Sequence, residues 1–147
     1  MTFLSEAEIE ALVLNCFATL GYAVFSDIEI GPDGKSPERE AYADVVLLGR
    51  LTAAISRLNP TIPEEARADA LRKALGTEKP ALVEENRRLH RLIVEGVDVE
   101  YYAEDGTIRG DKVRLVDFDD IAANDWLATA QFTVIEGSFN RRPDVVI

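Results

Sequence analysis

The sequence predicts an α+β protein. Three observations carry this. Apolar residues recur at three- and four-residue spacing over residues 9–20, behind a helix-start signal. Residues 47–95 read as three helical segments punctuated by proline and glycine. From Gly96 onward the apolar period falls to two, with turn residues between the runs. The order is a helix and a strand, a helical insertion at about 47–95, then four strands. Residues 1–147 are read as one domain with a mixed or antiparallel sheet.

Composition bounds the classes available. Hydrophobic residues make up 47% and charged residues 29%, as in ordinary soluble globular chains. No apolar run approaches the roughly 18–20 residues needed to span a bilayer. The start, MTFLSEAEIE, lacks the basic and apolar stretches of a signal peptide. A cytoplasmic protein with no membrane partner is therefore expected. The single cysteine, Cys16, excludes an internal disulfide and offers no metal-site spacing. The net charge of −11 argues against a broad nucleic-acid surface, which would have to neutralise phosphates. It leaves room for a local basic patch or a carboxylate site that holds a cation.

The elements follow in order. Ser5 and Glu8 form a capping-box pair, so a helix begins at Glu6. Ile9, Leu12, Val13, Cys16, Phe17 and Leu20 make its apolar stripe, with Cys16 a small core residue, and Gly21 closes it. Residues 22–25 read as strand, and 27–30 could be a second one. The loop GPDGKSPERE contains Gly34-Lys35-Ser36, the ending of a phosphate-binding loop. The first glycine of that motif is missing, because position 29 is Glu. Residues 42–47 could be strand. From Leu48 the spacing is helical until Asn59-Pro60. Pro63 leads the next helix, 64–75, and Gly76 ends it. Residues 78–80 open a third, running to about Glu95. It holds Arg87, Arg88, His90 and Arg91, a solvated face with partners such as Glu84–Arg88 and Arg91–Glu95, or else a phosphate-contacting one. His90 has no zinc or catalytic partner and reads as a surface residue.

Residues 97–102 and 107–116 form a hairpin about Glu104-Asp105-Gly106. The acidic link 117–120 lacks the glycine and distal glutamate of a calcium loop and reads as a solvated turn, with a short helix possible into Ala123. A strand over 127–135, a turn over 137–140 and a last strand over 142–147 complete the chain.

The last strand is where chemistry is expected. An aspartate entering a strand directly after proline is one way to begin a metal-dependent nuclease site. Pro143 fixes the strand entry and Asp144 presents a carboxylate from a rigid element. Mg²⁺ takes one or two carboxylates together with waters and phosphate oxygens. Arg141 and Arg142 would hold phosphates beside it. Taken alone, Pro-Asp reads first as a turn entering an edge strand.

Three stretches resemble the N-terminal part of the restriction (R) subunit of type I restriction–modification enzymes. The opening Glu-x-x-x-Glu helix runs into Leu20-Gly21-Tyr22. The middle holds Arg50-Leu51-x-x-Ala54-Ile55-x-x-Leu58-Asn59-Pro60. The end has Asn124-x-x-Leu127-x-x-x-Gln131-Phe132-x-Val134 and then Arg141-Arg142-Pro143-Asp144-Val145-Val146. The resemblance implies a restriction-endonuclease-like fold and a PD-(D/E)xK site. Asp144 is then the first Mg²⁺ ligand, and Glu10 the helix acid directed at the same metal. Arg141 and Arg142 contact DNA. The parent protein is an ATP-driven translocase and nuclease acting on DNA with methylation and specificity subunits, and its ATP site lies outside these residues. The Glu-x-Lys strand that follows Asp144 in that family is not among the 147 residues. The expectation is that this polypeptide does not cleave DNA unaided. The other class that fits the net charge of −11 is a small acidic protein-interaction module without catalysis.

Overall fold

The computed structural model describes residues 5–147. It is a mixed α and β chain whose residues divide into two compact units, Met1–Leu48 with Asp125–Ile147, and Gly49–Asn124.

The first unit is built on a small mixed sheet. Helix α1 (Glu6–Thr19) starts at the expected capping box, with Ser5 and Glu8 bonded reciprocally, and ends at Leu20. Gly21 follows at φ 92°, the left-handed C′ position that glycine adopts without strain. Strand β1 (Ala23–Ser26) comes next. Its centre-sheet neighbour is β4 (Leu127–Ala130), which pairs with β1 in parallel and with β7 (Val145–Val146) antiparallel. A second hairpin joins β5 (Val134–Glu136) and β6 (Phe139–Arg141). Ala128, Thr129 and Ala130 are buried, so small side chains let neighbouring groups approach the central strand closely.

Several expectations about this unit are corrected. Residues 27–30 form a helical turn, α2 (Asp27–Ile30), where a strand was considered. Ser26 and Glu29 repeat the S-x-x-E pairing of Ser5 and Glu8, with Ser26 N–H donating to Glu29 Oε2 at 2.8 Å. The predicted strand over 127–135 breaks into β4 and β5, because Gln131 takes φ 56° and turns the chain. The last strand is shorter than predicted, and the 137–140 turn lies partly inside the β5–β6 hairpin.

The expected α1 stripe holds only at Phe17. Ile9, Leu12 and Leu20 are more than half exposed, and Cys16 is exposed, not a core residue. The face turned inward is Glu10, Leu14 and Phe17, at spacings of four and three. Phe17 packs against Tyr22, with ring centroids 5.0 Å apart and the rings tilted, and α1 rests on β1 and β4. So narrow a sheet covers only a thin strip of the helix.

The second unit holds a larger apolar core. Helices α3 (Leu48–Leu58), α4 (Glu64–Leu75) and α5 (Leu82–Glu95) lead into the hairpin β2 (Val97–Tyr102) and β3 (Ile108–Val113). Ile55, Ile62, Ala66, Ala70, Val97, Val99 and Val113 form one buried cluster. Burying a Val or Ile side chain contributes about 1.5–3 kcal/mol. Val97 and Val99 alternate with exposed Asp98 and Glu100, as the two-residue period requires. Asn59 is buried where α3 ends. Its amide donates to Ile55 and Arg114 carbonyls and accepts from Arg114 N–H. A turn of 3₁₀ helix, Ile121–Ala123, follows the acidic link, in which Asp117 accepts the N–H groups of Asp119 and Asp120.

In α5 the expected Glu84–Arg88 pairing is replaced. Arg88 pairs instead with Glu85, both side chains about 90% buried at 2.5 Å. Arg88 also donates to the Lys73 carbonyl, and Glu85 accepts N–H groups of Glu78 and Lys79. The pair fastens the α4–α5 connection. Arg87, His90 and Arg91 stay exposed.

Candidate functional site

The carboxylates of Glu10 and Asp144 meet at one side chain. Glu10 lies on the inward face of α1, half-buried. Asp144 lies just before β7, exposed, and its carbonyl accepts the Gln131 N–H at 2.9 Å. That bond extends the β4–β7 ladder by one step and sets Gln131 opposite Asp144. The Gln131 side-chain Nε2 then donates to Glu10 Oε2 at 2.6 Å and reaches Asp144 Oδ1 at 3.4 Å. The first is a short charge-assisted bond and the second is at the long limit. A single amide nitrogen therefore touches two acids that lie far apart in the chain.

The bend at Gln131 is held from beneath. Thr133 Oγ1 donates to the Gln131 carbonyl at 3.2 Å. Phe132 is buried, and the Arg39 guanidinium lies over its ring, 3.9 Å from the centroid. Arg39 also donates to the Thr133 carbonyl at 2.6 Å and to Asp27 Oδ1 at 2.5 Å. It thereby ties the 27–46 segment to the residues next to Gln131.

Arg141 ends β6 and Arg142 follows it, both exposed. Among the described residues Arg141 donates only locally, to the Asn140 carbonyl at 3.3 Å. The sequence reading named Glu10, Asp144 and the two arginines. It quoted Gln131 without a role and gave none to Arg39. A glutamine at the close of an apolar run carries no local sign that its amide will reach a residue 121 positions away.

The possible ligands are two carboxylates, held by the Gln131 amide N–H groups, with no sulfur beside them. Hard divalent cations such as Mg²⁺ and Mn²⁺ suit carboxylate oxygens, and an exposed Asp144 leaves room for waters and a phosphate oxygen. Among the described residues no group of three or more His, Cys, Asp and Glu side chains could hold a metal, so the acids form a pair only.

Fold and site together define a mixed α/β protein with an acid pair gathered at the end of its central strand. The chain belongs to the family described as the type I restriction enzyme R protein N terminus, which it matches over residues 3–147. It is 29% identical over 142 residues to the protein named as the MjaIXP endonuclease subunit of a type I restriction enzyme from Methanocaldococcus jannaschii, covering 95% of this chain and 13% of that protein. It is 32% identical over 146 residues to the type I restriction enzyme HindI endonuclease subunit from Haemophilus influenzae, covering 97% of this chain and 14% of that one. The chain thus spans about one seventh of the curated relatives it matches. No solved structure matches it. No helix among the described residues is long and apolar enough to cross a membrane.

Proposed function

We propose that these residues are the front of a restriction-endonuclease-like nuclease domain, in the DNA-cleaving subunit of a type I restriction enzyme. Glu10 and Asp144 supply carboxylates for Mg²⁺ in a PD-(D/E)xK-type site. The observation that carries the reading is the meeting of these two acids at Gln131, in a chain of this family. When bound, Mg²⁺ polarises the scissile phosphodiester and lowers the pKa of a water for in-line attack. The protein's own groups do the rest. Asp144 presents its carboxylate from the entry to β7, and Glu10 presents a second from α1. Arg141 and Arg142 lie a few residues away on the exposed side and hold DNA phosphates.

The glutamate and the lysine of a Glu-x-Lys strand are not among these residues, and the 147-residue chain does not cleave DNA unaided in this reading. The intact subunit acts on DNA as an ATP-driven motor and nuclease, with methylation and specificity subunits as partners. Family membership weighs against the acidic interaction module that net charge alone also fits.

The test uses the full-length subunit assembled with its partners. Asp144→Ala is expected to abolish Mg²⁺-dependent DNA cleavage while ATP hydrolysis persists. Cleavage at the unaltered rate in that variant would remove Asp144 from the site.

A further inference from the structure

We propose that Gln131 is a positioning residue for the cation site, orienting Glu10 and Asp144 by donating its amide hydrogens to one oxygen of each. The proposal rests on the reading of those two acids as cation ligands and extends it to a residue that does not itself bind the cation.

Two independent features of Gln131 support it. The first is backbone. Gln131 is the one non-glycine residue with positive φ among those described, at 56°. A non-glycine residue in the left-handed region costs about 1–2 kcal/mol. Such a conformation persists only where the surroundings fix it, and here they do. Gln131 N–H is bonded to the Asp144 carbonyl, Thr133 Oγ1 holds the Gln131 carbonyl, and buried Phe132 anchors the next residue. Turning the chain here takes the Gln131 side chain out of the strand alternation and points it at α1.

The second is side-chain chemistry. An amide NH₂ has two hydrogens, and ionised carboxylates only accept. Gln131 Nε2 donates to Glu10 Oε2 and to Asp144 Oδ1, leaving Glu10 Oε1 and Asp144 Oδ2 for a cation. Glu10 needs such a hold. It is a long side chain on a helix whose neighbours Ile9 and Leu12 are half exposed, and it would otherwise sample rotamers pointing away from Asp144. Ligating carboxylates are regularly oriented by hydrogen bonds of this kind, and losing one lowers metal affinity by about 10–100-fold.

The test measures Mn²⁺ binding to this 147-residue chain by calorimetry, with thermal midpoints recorded in chelator. Gln131→Gly is the informative variant, because glycine accepts φ 56° and the side chain with its amide is lost while the backbone turn is kept. Its Mn²⁺ affinity is expected to fall at least tenfold while the midpoint in chelator stays within a few degrees. Gln131→Leu, which keeps bulk but cannot donate, is expected to weaken Mn²⁺ to a similar degree. In a Glu10→Gln background the further loss from Gln131→Gly should shrink to about twofold, since its main client is gone. Unchanged or tighter Mn²⁺ binding in Gln131→Gly overturns the proposal. Glu10→Gln and Asp144→Asn separate the two levels. If they leave Mn²⁺ affinity intact, the acid pair itself is not the site. If they weaken it while Gln131→Gly does not, only the role of Gln131 fails.

Discussion

Arg39 brings a guanidinium into a place where its side chain has no solvent exposure. It has an ion pair with Asp27, two backbone carbonyls and the faces of Phe132 and Tyr42, yet its Nε has no hydrogen-bond partner among the described residues. Removing one member of a buried pair leaves the other charged and unsolvated, which costs about 3–5 kcal/mol. Arg39→Met keeps much of the volume and removes the charge. A loss of that size is expected in urea unfolding, with the midpoint moving and the slope unchanged. A shift under about 1 kcal/mol would mean that the buried charge, with its ion pair and ring contacts together, adds little net stability. Arg142, by contrast, is exposed, and its worth is in binding. In the full-length subunit Arg142→Ala is expected to weaken DNA affinity at all sequences and to reduce the salt slope by about one. An unaltered slope would make the arginine structural. At this scale the sequence showed which residue types could do chemistry, because Pro143-Asp144 and the paired arginines are contiguous. It could not show Arg39 or Gln131. Their partners are 94 and 121 residues away, and only the folded register brings them together.

Elements were legible where their ends carry local chemistry. Ser5 with Glu8, Gly76, and Asn59-Pro60 each mark a boundary that the structure keeps. Ser26 with Glu29 carried the same signal for α2, but the short apolar run around it read as strand. The α1 face was misread because periodicity reports a stripe and not what covers it. Leu14 and Phe17 face the sheet, and the richer stripe of Ile9, Leu12 and Val13 does not. Gly96 shows how strictly one boundary is set. It joins α5 to β2 at φ 84°, and a Cβ there would sit 2.9 Å from the Val113 carbonyl oxygen. That oxygen is backbone of the paired strand β3 and cannot swing aside. Gly96→Ala is expected to cost about 1–2 kcal/mol from the left-handed backbone alone and more from the contact. Thermal unfolding measures it, with Gly106→Ala as the comparison. Gly106 has φ 79° but nothing within 4 Å, so it should lose only the backbone part. Equal losses at both positions would show that the Val113 contact is relieved at no cost.

At the scale of the whole molecule the dominant fact is an excess of acid, 27 Asp and Glu against 16 Lys and Arg. Two effects of falling pH then oppose each other. Protonating carboxylates relieves self-repulsion, which favours the folded chain as the pH approaches the isoelectric point near 4.5. It also removes the hydrogen bonds that specific carboxylates accept. Arg88 and the Glu78 and Lys79 N–H groups hold Glu85 down to about 2, from an ordinary value of 4.5. Hydrogen bonds from Lys73 and Arg72 lower Asp69, the Asp120 and Asp119 N–H groups lower Asp117, and Thr107 lowers Asp105. A carboxylate whose folded pKa is depressed contributes its stability above the unfolded value. That stability is lost as pH falls toward the folded value. Above about pH 5 these groups are ionised in both states, so only the weak relief of repulsion acts there. Below about 4.5 the losses add across several groups while relief of repulsion saturates. The expected profile is flat or slightly rising from pH 7 to 5, then a steep fall between about 4.5 and 2. Glu85→Gln tests the assignment within that profile. The amide cannot gain from ionisation, so the variant is expected to be less stable than the parent at pH 7, with the two curves converging as pH drops toward 2. Curves that stay parallel over that window would take Glu85 out of the acid limb.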